Sequence, residues 1–290
     1  MDNRSWKKTT QILGVSMLLL TLSGCAFKRL IYDRLDWMVM WQLDTYLDLS
    51  KEQKLKFKPV VADAIAWVKK DQLPAAIVVI SKLEDAAHQH RYDEGINNTF
   101  THQIDTIRQQ LFHKYEEPMV QFLLALDNEQ IDYLKKKLSK TNEDLEDVLK
   151  EKNPTEEYQS VILKKSVKTL NEWYGDLTKT QVDAFHQAMQ LGKPEIERRL
   201  KERSRIQDYI VDTLRSHDGV KVRTMLQSFG EHGEVWQDPV YLVYRNTAEG
   251  RWEKYLTAFH TSLSPEQWAH LEEKLKEMRG EIENMIGKSG

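Results

Sequence analysis

The side chains that could do chemistry are one cysteine, nine histidines and 45 acidic residues in a chain of 290. No two histidines are four residues apart, and there is neither an HExxH segment nor a calcium-binding loop, so the sequence predicts no metal site. It has no GxSxG elbow that would indicate a serine hydrolase. A pair of carboxylates suited to glycosidase chemistry cannot be selected without a fold. Catalytic residues therefore stay unknown at this level, and no cofactor is predicted.

Cys25 is the one reactive side chain whose neighbours indicate a specific modification. A basic start leads into an apolar run over residues 12–22 and then into small residues, an order typical of a secretory signal. The run is shorter than the roughly 20 residues that a membrane span needs. Residues 22–25, Leu-Ser-Gly-Cys, resemble the bacterial lipobox. That resemblance implies cleavage before Cys25 and attachment of a diacylglyceryl group and an N-acyl chain such as palmitate. The alternatives are an unlipidated signal peptide and a transmembrane helix.

The lipobox resemblance also implies a location. Ala26 stands where an aspartate would retain a bacterial lipoprotein at the inner membrane. We therefore expect a protein on the periplasmic face of the outer membrane, held there by the lipid on Cys25. Residues 1–24 are then the signal peptide, and residues 25–290 form the helical periplasmic part.

The net charge of −3 gives no electrostatic reason to expect nucleic acid as a partner.

The most aromatic stretch of the chain, residues 30–47, follows the cysteine closely and has helical periodicity. On a helix, one wide face of this stretch is apolar and includes Ile31, Tyr32, Leu35, Met38, Val39, Leu43 and Tyr46. The opposite side carries four aspartates, namely Asp33, Asp36, Asp44 and Asp48. Trp37 and Trp41 lie at the edge of that acidic side. The six aspartate and tryptophan side chains form the candidate partner surface.

Three interpretations of this first helix stay open. It packs as an amphipathic helix whose aspartates are solvated, or it docks an envelope protein, because tryptophan at the rim of a polar face suits an interface. The third interpretation is contact with a lipid surface. Helices that bind membranes usually carry Lys and Arg on the polar face, and this one carries aspartates, which counts against lipid.

A short motif occurs four times, with a leucine, then Ser, Thr or Asp, and a glutamine three residues after that. The copies are LSKEQ at 49–53, LDNEQ at 126–130, LTKTQ at 177–181 and LSPEQ at 263–267. This spacing predicts a capping box at the start of a helix. The Ser, Thr or Asp side chain accepts a hydrogen bond from the backbone N–H of the glutamine. The glutamine side chain accepts one from the backbone N–H of the cap residue.

Apolar seams follow the boxes. After the second box, Ile131, Leu134 and Leu138 begin a seven-residue period, which suits the packing of near-parallel or antiparallel helices. Prolines and glycines divide the remaining sequence into helices, with breaks predicted at Leu73-Pro74 and at Glu117-Pro118. The sequence thus predicts an all-α, multi-helix bundle of about ten helices after the cleaved signal peptide. Uneven spacing of the boxes argues against a solenoid, and a division into two sub-bundles near 153 or 192 stays open.

Over most of its length after the signal, the sequence resembles a family of uncharacterised proteobacterial lipoproteins. The matching blocks are residues 32–37 with Trp41, residues 43–49 with Glu52-Gln53, Trp67 with Leu73-Pro74, residues 170–181 and residues 197–199. This resemblance implies an all-helical lipoprotein without an assigned activity or agreed catalytic residues. The capped repeats are also similar to the Leu-Thr-x-x-Gln motifs of small periplasmic chaperones of the spheroplast-protein-Y type.

Two classes of function fit these features. The first is a non-enzymatic, lipid-anchored helical protein that binds, scaffolds or acts like a chaperone, with an envelope protein as partner. The second is an envelope enzyme that acts on cell-wall or surface polysaccharide through carboxylates in a cleft. An exposed apolar patch would favour the first class. A deep pocket with convergent carboxylates of perturbed pKa would favour the second.

Overall fold

A computed structural model describes residues 34–92, 94–189, 192–231 and 238–287. All regular structure in these ranges is helical, which confirms the predicted all-α bundle. Twelve α-helices are present where about ten were predicted: α1 Leu35–Leu47, α2 Lys51–Trp67, α3 Leu73–His88, α4 Glu94–Leu124, α5 Asn128–Lys140, α6 Glu143–Lys150, α7 Pro154–Tyr174, α8 Lys179–Met189, α9 Lys193–Arg215, α10 Gly219–Glu231, α11 Pro239–Thr261 and α12 Pro265–Gly287. The signal, Cys25 and Asp33 lie outside the described residues.

All four predicted capping boxes are confirmed, at the starts of α2, α5, α8 and α12. In each box the backbone N–H of the glutamine donates to the cap side chain. The donor–acceptor distance is 2.8 Å at Asp127 and 3.2 Å at Ser50, Thr178 and Ser264. Each cap amide donates in return to the glutamine Oε1, over 2.9–3.2 Å. The boxes therefore satisfy amides at helix starts that have no partner within the helix.

Two predicted breaks have a different form in the structure. The break expected at Leu73-Pro74 is a π-helical turn, Val68–Gln72, that joins α2 to α3, with Pro74 in the first turn of α3. The break expected at Glu117-Pro118 is a kink within α4, where Tyr115 has non-helical backbone angles (φ −110°, ψ 15°). Proline removes one helical hydrogen bond and clashes with the preceding turn, so a kink just before Pro118 has a direct cause.

The chain forms two compact units, and each gathers three stretches of sequence. The first unit contains the residues up to Ala62, Glu117–Tyr158 and Leu191–Leu226. Within it, α1 packs on α5, and α9 packs on α5 and α6. Its most buried side chains include Val120, Leu126, Ile131, Ile196, Val211 and Val222. These side chains come from α4, α5, α9, α10 and the turn before α5, and together they form the core of this unit.

The second unit contains Asp63–Glu116, Gln159–Gln190 and Gln227–Gly290. Within it, α3 packs along α12, and α8 packs on α11. Its core is rich in aromatic and polarizable side chains, among them Phe185, Met189, Tyr255, Phe259 and Trp268. Gly230 allows a close approach here, because a Cβ at this position would lie 2.5 Å from Cβ of Phe112.

Candidate functional site

The first helix, α1, carries the side chains that the sequence analysis proposed as a partner surface. It runs from Leu35 to Leu47 and ends at Asp48, which has a left-handed backbone (φ 47°) and donates its amide to the carbonyl of Asp44. Among its residues, Met40 and Leu47 are buried, seven positions apart on one side of the helix. This side is the one that packs on α5.

The buried side of α1 differs from the predicted apolar face. That prediction included Met38 and Val39, but Val39 is exposed and Met38 is only half-buried. The periodicity was ambiguous because apolar residues occur nearly all round this helix. Packing against α5 buries the line through Met40 and Leu47, and Trp37 and Trp41 lie to one side of this line, where they stay exposed.

Trp37 and Trp41 form an exposed stacked pair on the outward side of α1. Their exposed fractions are 60% and 45%. Their ring centroids are 6.3 Å apart, with 13° between the ring planes. Two large apolar rings that remain exposed on a folded protein are unusual, and such patches commonly mark contact surfaces.

The four aspartates of the candidate surface do not lie together on one face of α1. Asp36 is half-buried and lies toward the buried side of the helix. Asp44 is also half-buried; its Oδ1 accepts from the amide of Leu49 at 3.0 Å and pairs with Nζ of Lys54 at 2.8 Å. Asp48 is exposed beyond the helix end, and Asp33 lies outside the described residues. The structure thus brings Trp37 and Trp41 together but disperses the carboxylates.

The glutamines of the capping boxes make contacts that the sequence analysis missed. In the first unit, Gln53 and Gln130 face each other, and each Nε2 donates to the other's Oε1 at 2.9 Å. Nε2 of Gln53 also donates to the carbonyl of Ala125 at 2.9 Å. Nε2 of Gln130 donates to the carbonyl of Asp48 at 3.0 Å. The two helix starts are therefore joined by a reciprocal amide pair.

The second unit contains the same arrangement between Gln181 and Gln267. Their side chains exchange hydrogen bonds of 2.9 and 3.0 Å. Nε2 of Gln181 also donates to the carbonyl of Ser262 at 3.2 Å, and Nε2 of Gln267 to that of Asp176 at 3.0 Å. In both units every amide hydrogen and oxygen lone pair of the two glutamines has a partner. These side chains are structural and have no free group to offer a ligand.

A buried histidine and tyrosine lie beside the glutamine pair of the second unit. His260 is 8% exposed, its Nδ1 is 2.7 Å from the carbonyl of Leu256, and its Nε2 is 3.0 Å from the hydroxyl of Tyr174. Because a carbonyl only accepts, Nδ1 carries the proton and Nε2 accepts from Tyr174. Tyr92 stacks on the imidazole at 4.4 Å. Burial lowers the pKa of His260 and raises the pKa of Tyr174, so both are neutral at pH 7.

Two acidic side chains are buried in the described part of the chain, and both are bound to arginine. Glu84 accepts from Nε of Arg279 at 2.7 Å. Glu202 accepts from Arg205 at 2.8 and 2.9 Å in a two-point contact. An enzyme that works through carboxylates would require buried acids that converge on a cleft, and these two belong to separate units.

One shallow cleft of about 210 Å³ lies between α5, α6 and α9 of the first unit. Three of its polar side chains, those of Asn142, Ser204 and Gln207, are hydrogen-bonded to one another. Nδ2 of Asn142 donates to Oε1 of Gln207 at 2.9 Å, and Nε2 of Gln207 donates to the carbonyl of Leu138 at 3.1 Å. The cleft is therefore an outer surface of the helix packing. Its lining also includes Lys135, Glu146 and Asp208.

Over the described ranges, no group of three or more His, Cys, Asp or Glu side chains could hold a metal ion. None of the helices described is both long enough and apolar enough to cross a membrane.

Residues 45–245 match the model of DUF6279, a family of unknown function. No curated protein and no solved structure matches the chain. The matched range contains three of the four capping boxes and both residues of the glutamine pair in the first unit. In the second unit it contains Gln181 but ends before Gln267.

Proposed function

This chain belongs to DUF6279, a family of unknown function, and we propose that it is a lipid-anchored binding protein on the periplasmic face of the outer membrane. The proposed location is supported by the lipobox resemblance of residues 22–25 and by Ala26 after the cysteine. The similarity of the opening block to proteobacterial lipoproteins supports the same conclusion. In this proposal the helical units are carried at the membrane by the acyl chains on Cys25.

The observation that carries the binding role is the exposed stack of Trp37 and Trp41. About half of the surface of each of these rings is exposed, and tryptophan is strongly enriched where a surface is covered by a partner. The stack is on the first described helix, so it follows the lipid-bearing cysteine by only a short segment. A lipid anchor so close to the stack raises the effective concentration, at the stack, of other components of the same membrane.

The chaperone-like alternative receives less support from the capped repeats. All four glutamines of the repeats are used in helix capping and in pairing with one another. The likeness to Leu-Thr-x-x-Gln motifs is thus accounted for by the packing of helix starts. A binding or scaffold role that uses the tryptophan stack is therefore the form of the proposal that we favour.

Fatty-acid labelling in cells tests the anchor. We expect label on the wild-type chain and none on Cys25→Ala, with the variant released from the membrane fraction. Label that persists on the variant would contradict lipidation at this residue.

Site-specific photo-crosslinking tests the binding role. A crosslinking amino acid at Trp41 should give adducts, and the same group at Lys179, an exposed position of the second unit, serves as the matched control. Equal adduct yields at the two positions would contradict a contact surface on α1.

A further inference from the structure

We propose that the outward face of α1 lies against the phospholipid headgroups of the membrane that holds Cys25, so that the protein touches the bilayer at two places. This inference rests on the lipid anchor proposed above. It names the occupant of the tryptophan stack as a lipid surface, where the candidate surface was first interpreted as a site for a protein.

The outward face of α1 is defined by its exposed rings. Trp37 and Trp41 are four residues apart and exposed, and they lie to one side of the line through the buried Met40 and Leu47. Arg34, which is exposed, precedes the first turn. The face is therefore aromatic and apolar, with a cation at its start. Tryptophan rings with a polar N–H prefer the headgroup level of a bilayer, between water and hydrocarbon.

The position of the aspartates removes the main objection to lipid. In the sequence analysis an acidic polar side counted against membrane contact. In the structure Asp36 turns toward the packed side, and Asp44 is neutralised by Lys54 at 2.8 Å. Asp44 lies seven residues after Trp37, on the same side of α1, and its charge is offset by the ion pair with Lys54. An anionic headgroup would thus approach this face without strong repulsion.

The length of chain between the lipid and α1 limits how far this face can be from the membrane. Eight residues separate Cys25 from Arg34, and two of them, Lys28 and Arg29, are basic. A fully extended segment of this length spans at most about 30 Å. The tether thus keeps the face within reach of the headgroups.

The size of the face fits a lipid surface better than a protein interface. A helix of 13 residues is about 20 Å long, and one side of it offers roughly 200 Å². A stable protein interface covers about 800 Å² on each partner. A second copy of the chain or another protein would need much more surface than this helix side supplies. For a membrane contact that is already tethered by acyl chains, a small area is sufficient.

Quenching by brominated lipids tests this inference on the full, lipidated protein. The protein is reconstituted into vesicles of phosphatidylethanolamine and phosphatidylglycerol whose acyl chains carry bromine near the headgroup. We expect bromine to quench part of the wild-type tryptophan emission and to quench almost none in Trp37→Phe/Trp41→Phe. The matched control, Trp173→Phe/Trp252→Phe in the second unit, should keep the quenched component.

Two measurements, the intact mass and the quenching, distinguish the absence of lipid contact at α1 from the absence of the lipid anchor on Cys25. The intact mass of the purified protein reports whether Cys25 is acylated, and an unmodified mass would overturn the anchor itself. An acylated protein with no bromine-dependent difference between wild type and Trp37→Phe/Trp41→Phe would overturn the lipid contact alone. Adducts from a crosslinker at Trp41 that contain only protein, from a partner or a second copy, would overturn it too.

Discussion

The two glutamine pairs are built alike but have different surroundings. Three residues before its leading leucine, each of the first and third boxes has a tyrosine, Tyr46 or Tyr174. At the same place the second box has Leu123 and the fourth has His260. Only the second unit can therefore form the hydrogen bond between the tyrosine hydroxyl and an imidazole, and it does so at 3.0 Å.

Other positions keep the same register in both pairs. Phe57 and Phe185 each follow the leading leucine of their box by eight residues, and Phe122 and Phe259 each precede theirs by four. The similar placement of these rings shows that one packing solution is used twice. The comparison teaches that the glutamine pair joins two helix starts in both units. The residue three positions before the second box of each pair, Leu123 or His260, determines whether the stability of the unit depends on pH.

The largest expected effect is the loss of a fully buried glutamine. Gln181→Ala removes a side chain that is 4% exposed and leaves its partner Gln267 with unsatisfied amide atoms. We expect the free energy of unfolding to fall by about 2–4 kcal/mol, because each buried group without a partner costs about 1–3 kcal/mol. Urea unfolding measures it. Gln187→Ala, at an exposed position of the same helix, is the control, and an equal loss there would refute the role of the pair.

The same substitution in the first unit should cost less. Gln53 is only half-buried, so water can satisfy part of what it leaves behind in Gln53→Ala. We expect a loss of about 1–2 kcal/mol in the same urea experiment. A loss as large as that of Gln181→Ala would show that burial does not account for the difference between the two pairs.

Removal of the cap side chains in the second unit should have a smaller effect. Thr178→Ala and Ser264→Ala each delete one acceptor for the glutamine amide, at 3.2 Å, and leave the amide pair in place. The expected cost is about 1 kcal/mol for each substitution. Thermal unfolding compares these variants with Gln181→Ala. A cap substitution that left stability unchanged while the amount of protein at the membrane fell would assign the motif a binding role.

The smallest effect is a pH dependence confined to the second unit. His260 is neutral in the fold because burial lowers its pKa below the ordinary value of 6.5. The unfolded chain therefore binds the proton more readily. The stabilisation is complete above pH 6.5 and is lost as the pH falls from 6.5 through the lowered pKa.

The variant His260→Leu, which copies the residue found at the matching place in the first unit, should remove this part of the acid sensitivity. Unfolding curves between pH 7 and pH 5 measure it, with His113→Leu as the control on an exposed helical histidine of the same unit. Identical pH slopes for wild type and His260→Leu would contradict the assignment.

The sequence predicted local structure well and contacts between distant segments poorly. The capping boxes at Ser50, Asp127, Thr178 and Ser264 were predictable because they depend on four consecutive residues. The pairing of Gln53 with Gln130 was not, since those residues are 77 positions apart and nothing local identifies a partner. The positions of Tyr174 and His260 could have suggested that the boxes pair, because each of these two residues stands three positions before the leading leucine of a box.

The face of α1 shows the same limit. Its apolar residues surround the helix, so periodicity alone could not choose between the line through Met38 and the line through Met40. Packing on α5 made the choice. The prediction that Trp37 and Trp41 belong to a contact surface stays a prediction, now with both rings exposed.

The central claim is that Trp37 and Trp41 act outward and contribute little to either core. The melting temperature of Trp37→Ser/Trp41→Ser tests it most directly, with Trp268→Ala as the reference for a buried tryptophan that is 5% exposed. We predict a shift of no more than about 3 °C for the exposed pair, because surface substitutions change stability by about 0.5 kcal/mol each. Trp268→Ala should lower it by about 10 °C, since loss of a core aromatic costs about 3–5 kcal/mol. A drop for the exposed pair as large as that of Trp268→Ala would contradict the account.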